Sequence, residues 1–252
     1  MLIDLTMPIA EGMPFNPDHF SPDITPYAKI ETHGWRASKL VLDSHLGTHM
    51  DAPSHFVVGG WTLDQIPLDV LIGPAQIVHL EQVGEREALT PAHFPTISQP
   101  RLLIHTGWSE RALGTPAYFE RYPYLTPEAA TYLADRGVRL VGLDCPSVDY
   151  DPGETHVALL SRGTVIIENL VHLDRLPADC ALFALPLPIK GGDGCPLRAV
   201  AAKGSDPWDQ DKIWSRLSKA TARQIHAAGR NDRRDGPAVE PSAAGPNRWL
   251  RP

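Results

Sequence analysis

The 252-residue chain is short of cysteine, of long apolar runs and of positive charge. Its three cysteines, Cys145, Cys180 and Cys195, are widely spaced, odd in number and form no C-x-x-C pair. That argues against a disulfide framework and a thiolate metal site; reduced, buried thiols in a cytoplasmic protein are the expectation. No stretch of about 18 apolar residues occurs, so no membrane span is expected. A net charge of −7 argues against a general nucleic-acid or anionic-membrane role. The opening MLIDLTMPIAEGM has no basic leader and does not read as a signal peptide. No internal repeat is evident.

The apolar fraction, 42%, is enough for a sizeable core. The 25 prolines are scattered, which predicts many turns and short elements. Short runs rich in Val, Ile and Leu predict strands at 2–6, 38–45, 75–80, 101–106, 138–144, 164–170, 180–189 and 197–202. A helix is expected over 126–137, with Thr126 as N-cap, Pro127 at the first helical position and Gly137 at the end. A shorter helix is expected over 156–163. Strands outnumber helices in a mixed order, which predicts an α/β class with a mixed sheet. Composition changes near Lys203. We expect one domain over 1–204 and a polar extension over 205–252, helical over 208–228 and disordered beyond. The basic run RNDRRDG (230–236) reads as a solvated tail.

What the chain does have is histidine, concentrated in HLGTHMDAPSHF (45–56). If 45–51 runs extended, His45, Gly47, His49 and Asp51 share one face. Two imidazoles and a carboxylate on one face make half of a divalent-metal site. Pro53 stiffens the approach to His55, which can stand over a metal without binding it. The remaining ligands are sought downstream. His156 follows the Pro152–Gly153 turn, and Glu168 ends the apolar strand TVIIE, where a lone carboxylate needs a partner. Four histidines and two carboxylates are enough for two ions bridged by carboxylates. His19, His33, His79, His93, His105, His172 and His226 read as structural or surface residues. Asp144 and Asp149, in DCPSVD (144–149), read as turn or supporting groups and not as ligands. Trp61 and Trp108 read equally as pocket walls or core aromatics.

These segments resemble the cyclase family of metal-dependent hydrolases, which includes bacterial kynurenine formamidase. HLGTHMDAPSHF matches the family pattern H-x-G-T-H-x-D-x-P-x-H-F at every fixed position. IDLTMPI (3–9), HVALLSRGTVIIENL (156–170) and ALPLPIKGGDGCPLRAVA (184–201) support it, so the likeness covers about 1–203. The resemblance implies a swivelling β/β/α fold with a mixed sheet or barrel core and few helices. It implies two divalent ions, zinc or manganese. His45 and His49 would hold the first and His156 the second, with Asp51 and Glu168 bridging and His55 as proton donor and acceptor. It also implies a dimer or tetramer whose N-terminal segments help form the active sites.

The implied reaction is hydrolysis of a C–N bond in a small, aromatic amide by a metal-activated hydroxide: N-formylkynurenine to kynurenine and formate, in tryptophan breakdown. In place of the tryptophan that kynurenine formamidases carry in the N-terminal segment, GMPFNPDHF (12–20) offers Phe15 and Phe20. Phe15 is the candidate for stacking on an aromatic substrate. The same chemistry would open a cyclic amide such as isatin, an imide or a lactone. A non-catalytic metal-binding protein on the same fold is the third alternative, against which His55 argues, since a structural site needs only ligands.

Overall fold

The computed structural model describes residues 1–80, 82–150 and 153–203. The expected extension over 205–252, with its helix and RNDRRDG run, lies outside the described residues. In chain order the elements are β1 (Leu2–Asp4), β2 (Asp23–Ala28), α1 (Ile30–His33), β3 (Ala37–Val41), β4 (His49–Asp51), α2 (Leu68–Leu71), β5 (Ile72–His79), β6 (Ala88–Leu89), β7 (Arg101–His105), α3 (Trp108–Ala112), α4 (Ala117–Glu120), β8 (Tyr124–Leu125), α5 (Pro127–Asp135), β9 (Leu140–Leu143), α6 (Glu154–Leu160), β10 (Val165–Glu168), β11 (Asp179–Pro186) and β12 (Gly194–Ala202). No helix among the described residues is long and apolar enough to cross a membrane.

The principal sheet runs β12, β11, β5, β7, β9, β10, β4, and β4 pairs back onto β12, closing a mixed barrel. β1 joins the far half of β12. β5, β7, β9 and β10 are mutually parallel; the other pairings in this sheet are antiparallel. This is the α/β class with a mixed sheet that the order of strands and helices predicts, and the barrel core that the family resemblance implies. The parallel strands read as near-continuous apolar runs because both their faces are buried. Leu103, Leu140, Val165 and Ile167 belong to the cluster that includes Met50, Ala75 and Leu182. Their neighbours Leu102, Ile104, Val141 and Ile166 turn the other way, under α3, α5 and α6. α5 forms as expected: the Thr126 hydroxyl accepts the Ala129 N–H at 3.2 Å, and Gly137 takes φ +79° just beyond its end.

One expected strand changes place. The run 38–45 yields only β3, which pairs with β2 in a separate ribbon. β2 is a strand not expected from the sequence, since its DITPYA carries proline and no clean alternation. The ribbon and α1 leave Tyr27, Ile30, Trp35, Leu40 and Val41 exposed.

Thr48 joins three segments around the site. Its buried hydroxyl accepts the Met7 N–H (2.9 Å) and donates to the Asn169 carbonyl (2.6 Å). Its own carbonyl accepts the Leu197 N–H at 3.0 Å. Asn169 takes φ +58°, directly after β10. Thr48→Val keeps the side-chain shape but leaves a buried donor and a buried acceptor unmatched, at a cost of roughly 1–3 kcal/mol each. We expect a denaturant titration to read a loss of about 2 kcal/mol or more; a midpoint unchanged from wild type would show that the three segments are held without this hydroxyl.

Candidate metal centre

β4 and β10 pair antiparallel, with Glu168 opposite His49 and Ile166 opposite Asp51. Period two sends Met50 and Ile167 into the barrel and leaves His49, Asp51 and Glu168 on the opposite face. α6 brings His156 onto that face. The expectation of an extended 45–51 is corrected: strand geometry begins at His49, and 44–48 is irregular, with Gly47 at φ +58°. A left-handed glycine breaks the pleat, so His45 arrives by a turn and not by strand alternation. Asp43 anchors that turn by accepting the His45 N–H at 2.8 Å. The ring of His45 fills the space a Cβ on Gly194 would need; such a carbon would stand 2.5 Å from Cε1.

The six predicted residues converge. His45 Nδ1 is 2.8 Å from Asp51 Oδ1, and His49 Nε2 is 3.3 Å from that oxygen and 3.4 Å from Glu168 Oε2. His156 Nε2 is 3.3 Å from Glu168 Oε1 and 3.6 Å from Asp51 Oδ2. Donors held about 2.1 Å from one ion stand roughly 3–3.5 Å apart, so most of these spacings suit ligands shared by a divalent ion. Two overlapping donor groups result, His45–His49–Asp51 and Asp51–His156–Glu168. Each histidine's far nitrogen meets an acceptor: Gly47 O for His49 (2.8 Å), Asp149 Oδ1 for His156 (2.7 Å) and Asp193 Oδ2 for His45 (3.0 Å). Such acceptors fix the tautomer and aim the near nitrogen's lone pair at a cation. Asp51 Oδ2 is buried without a hydrogen-bond partner, as a carboxylate oxygen reserved for a metal would be. The residues therefore fit a divalent metal.

Without metal, protons take the cations' place. Burial opposes charge on His45, yet its hydrogen bonds and attraction to Asp51 and Asp193 outweigh that and raise its pKa to about 9. His49 and His156 are raised too, burial again being outweighed by the carboxylates. Burial pushes Asp51 up, but His49, His156 and His45 hold it well below the ordinary carboxylate range.

His55 lies beside the cluster, its ring stacked on His45 (centroids 3.9 Å, 28° between planes), with Nδ1 3.8 Å from Asp193 Oδ2. A cavity of about 440 Å³ opens over these groups. Phe15, Phe56, Phe119 and Tyr122 give it aromatic walls, and Asn16, Asp18 and His19 close one side. Phe15 is thus on the cavity as expected, whereas Phe20 is 77% exposed and off it. His19, read as a surface or structural residue, lines the cavity. Trp108 is core, its indole N–H donating to Tyr118 O, and Trp61 is 47% exposed; neither is a wall. Asp149 supports His156, and Asp144 accepts the Thr106 and Trp108 N–H groups, as supporting residues do. Two residues of the site are not singled out by the sequence: Asp193, in a Gly-rich turn that resembles any other, and Phe56, which stacks on His156 at 4.5 Å.

A buried set of imidazoles and carboxylates under an aromatic cavity, on a closed mixed sheet, defines a metal-dependent enzyme. The chain belongs to the cyclase family: residues 3–150 match the family described as putative cyclase. It is 37% identical over 216 residues to the kynurenine formamidase of Geobacillus thermodenitrificans, covering 80% of this chain and 97% of that one. Among solved structures, a predicted metal-dependent hydrolase from Bacillus stearothermophilus is 32% identical with a TM-score of 0.67, over 80% of this chain and 97% of that one. Isatin hydrolase A from Labrenzia aggregata, bound to benzyl benzoate, is 27% identical with a TM-score of 0.70, over 80% and 93%. The family expected from the motifs is the one found.

Two predictions follow from the geometry. Asp193→Asn weakens the carboxylate behind His45, and metal affinity measured by chelator competition should fall about tenfold or more; unchanged affinity would remove Asp193 from the support of the site. The raised His45 pKa means that metal uptake at pH 7 expels a proton. Apparent affinity should climb about tenfold per pH unit for each proton displaced and flatten for this group above about 9. Calorimetry in buffers of different ionisation enthalpy counts the protons, and a count of zero at pH 7 contradicts the assignment.

Proposed function

We propose that the protein hydrolyses the formamide C–N bond of a small aromatic substrate, N-formylkynurenine first among them, releasing formate and the arylamine. The observation that carries this is the cavity, with its paired metal-ligand groups at the floor, His55 beside them and aromatic walls. The relatives named kynurenine formamidase support it. His45, His49, Asp51, His156 and Glu168 would hold two divalent ions, zinc or manganese, through the overlapping groups. When bound, such ions supply Lewis acidity, which makes hydroxide available near neutral pH and polarises a carbonyl.

His55 does the proton work. Burial, with the nearby charges of His45 and His156, lowers its pKa to about 4 against the pull of Asp51 and Asp193. It is therefore neutral at pH 7, able to accept a proton from the attacking water and return it to the leaving nitrogen. An amide nitrogen leaves poorly until protonated, so this transfer sets the rate at which the C–N bond breaks. Phe15, Phe56 and Tyr122 provide faces on which an aryl ring stacks. The exposed apolar residues of the β2–β3 ribbon and α1 suit burial by a second copy, in a cytoplasmic dimer or tetramer.

The test is turnover of N-formylkynurenine by protein stripped with chelator and resupplied with zinc or manganese. Restored hydrolysis is expected. Retained metal without turnover would move the substrate to a cyclic amide, the class of compound that the neighbour named isatin hydrolase points to. His55→Ala should keep its metal and lose about 10²–10⁴-fold in kcat; near wild-type turnover would take the proton role from His55.

A further inference from the structure

Away from the cavity, at the C-terminal ends of the adjacent parallel strands β5 and β7, His79 stands opposite His105. Their Nδ1 atoms are 2.9 Å apart, with the rings at 83°. Each far nitrogen faces an acceptor. His79 Nε2 is 3.1 Å from the Leu176 carbonyl oxygen, and His105 Nε2 is 3.4 Å from Glu110 Oε2. Those acceptors fix a proton on each Nε2 and leave both Nδ1 atoms with lone pairs. Two lone pairs facing the same space at 2.9 Å repel, so the contact calls for a proton or a metal ion shared by the two rings. The surroundings favour one: Glu110, Asp144 and Asp174 all act on His105, and together they raise its pKa despite burial. His105, Glu110 and Asp144 also bring ligand atoms within 4.8 Å of one another. Asp144 is committed to Thr106 and Trp108, so it contributes charge and not a ligand atom.

We propose that His79 and His105 form a second metal site, separate from the catalytic centre, that chelates a borderline divalent cation such as Zn²⁺, Ni²⁺ or Cu²⁺ through the two Nδ1 atoms. The separation of 2.9 Å is that of neighbouring ligands about 2.1 Å from one ion. Two imidazoles without an oxygen-rich shell select this class over Mg²⁺, Ca²⁺ or Mn²⁺. The arrangement repeats the logic of the candidate metal centre, near nitrogens facing one another and far nitrogens tied back, away from the cavity over that centre. An ion there clamps β5 to β7 and, through Leu176, to the turn that follows His172.

The experiment is equilibrium dialysis of metal-stripped protein against Zn²⁺, with bound metal counted by atomic emission for wild type, His79→Gln and His105→Gln. Each variant should bind one Zn²⁺ fewer than wild type, while turnover at saturating metal stays within about twofold, since neither side chain lines the cavity. Equal metal content in all three proteins overturns the site and leaves a shared proton as the occupant. Anomalous scattering from a Zn²⁺-soaked wild-type crystal decides independently of whether a variant folds. A peak between the two Nδ1 atoms is expected, and a clean map there overturns the proposal.

Discussion

Asp51 carries a negative charge on a side chain that is 1% exposed, and one of its oxygens has no hydrogen-bond partner. An ion so placed costs several kcal/mol unless positive charge is brought to it. Three histidines ring it, and each is held in turn by a carbonyl or carboxylate behind it. The turn of 44–48, the Asp149 carboxylate that accepts the Thr155 and His156 N–H groups, and the Asp193 turn all serve this one demand. Remove the ring of cations and the carboxylate is an isolated buried charge; supply it, and the same burial that made the charge costly makes its electrostatics strong.

The barrel makes such a centre possible because it separates two kinds of interior. One face of β4 and β10 packs Met50, Val165 and Ile167 with the residues of β5 and β11, and it is wholly apolar. The other face, one residue out of phase, carries His49, Asp51 and Glu168. A slip of one residue in the β4–β10 register would send the ligands into hydrocarbon and Met50 into the cavity. Register is therefore fixed from both sides, by the apolar cost within and by the charge pairing without.

Much of this was legible in the sequence, for identifiable reasons. The apolar runs at 75–80, 101–106 and 138–144 announced β5, β7 and β9, because strands buried on both faces leave no other pattern. Thr126, Pro127 and Gly137 announced α5 through capping chemistry, which is local. The convergence of the five candidate ligands and His55 was legible because chemically unusual residues recur at family spacing. Asp193 was not, since a turn aspartate becomes a partner of His45 only when β12 closes against β4, a contact 148 positions away in the chain. β2 was not, because it is a strand by pairing with β3 and not by its own composition. The route of His45 into the site was misjudged for the opposite reason: the spacing of the motif fits strand alternation, but Gly47 permits a turn that reaches the same place.

β12 is the last strand among the described residues, and it is the seam of the barrel. Its first residues pair with β4, its last with β1, and Asp193 immediately precedes it. All six candidate ligand and proton-transfer residues lie upstream of that segment. On the ribosome, His45, His49 and His156 thus emerge well before the strand that shuts the sheet and the turn that braces His45. A chain cut short before residue 193 has neither the strand that closes the sheet nor the carboxylate that sets the tautomer of His45.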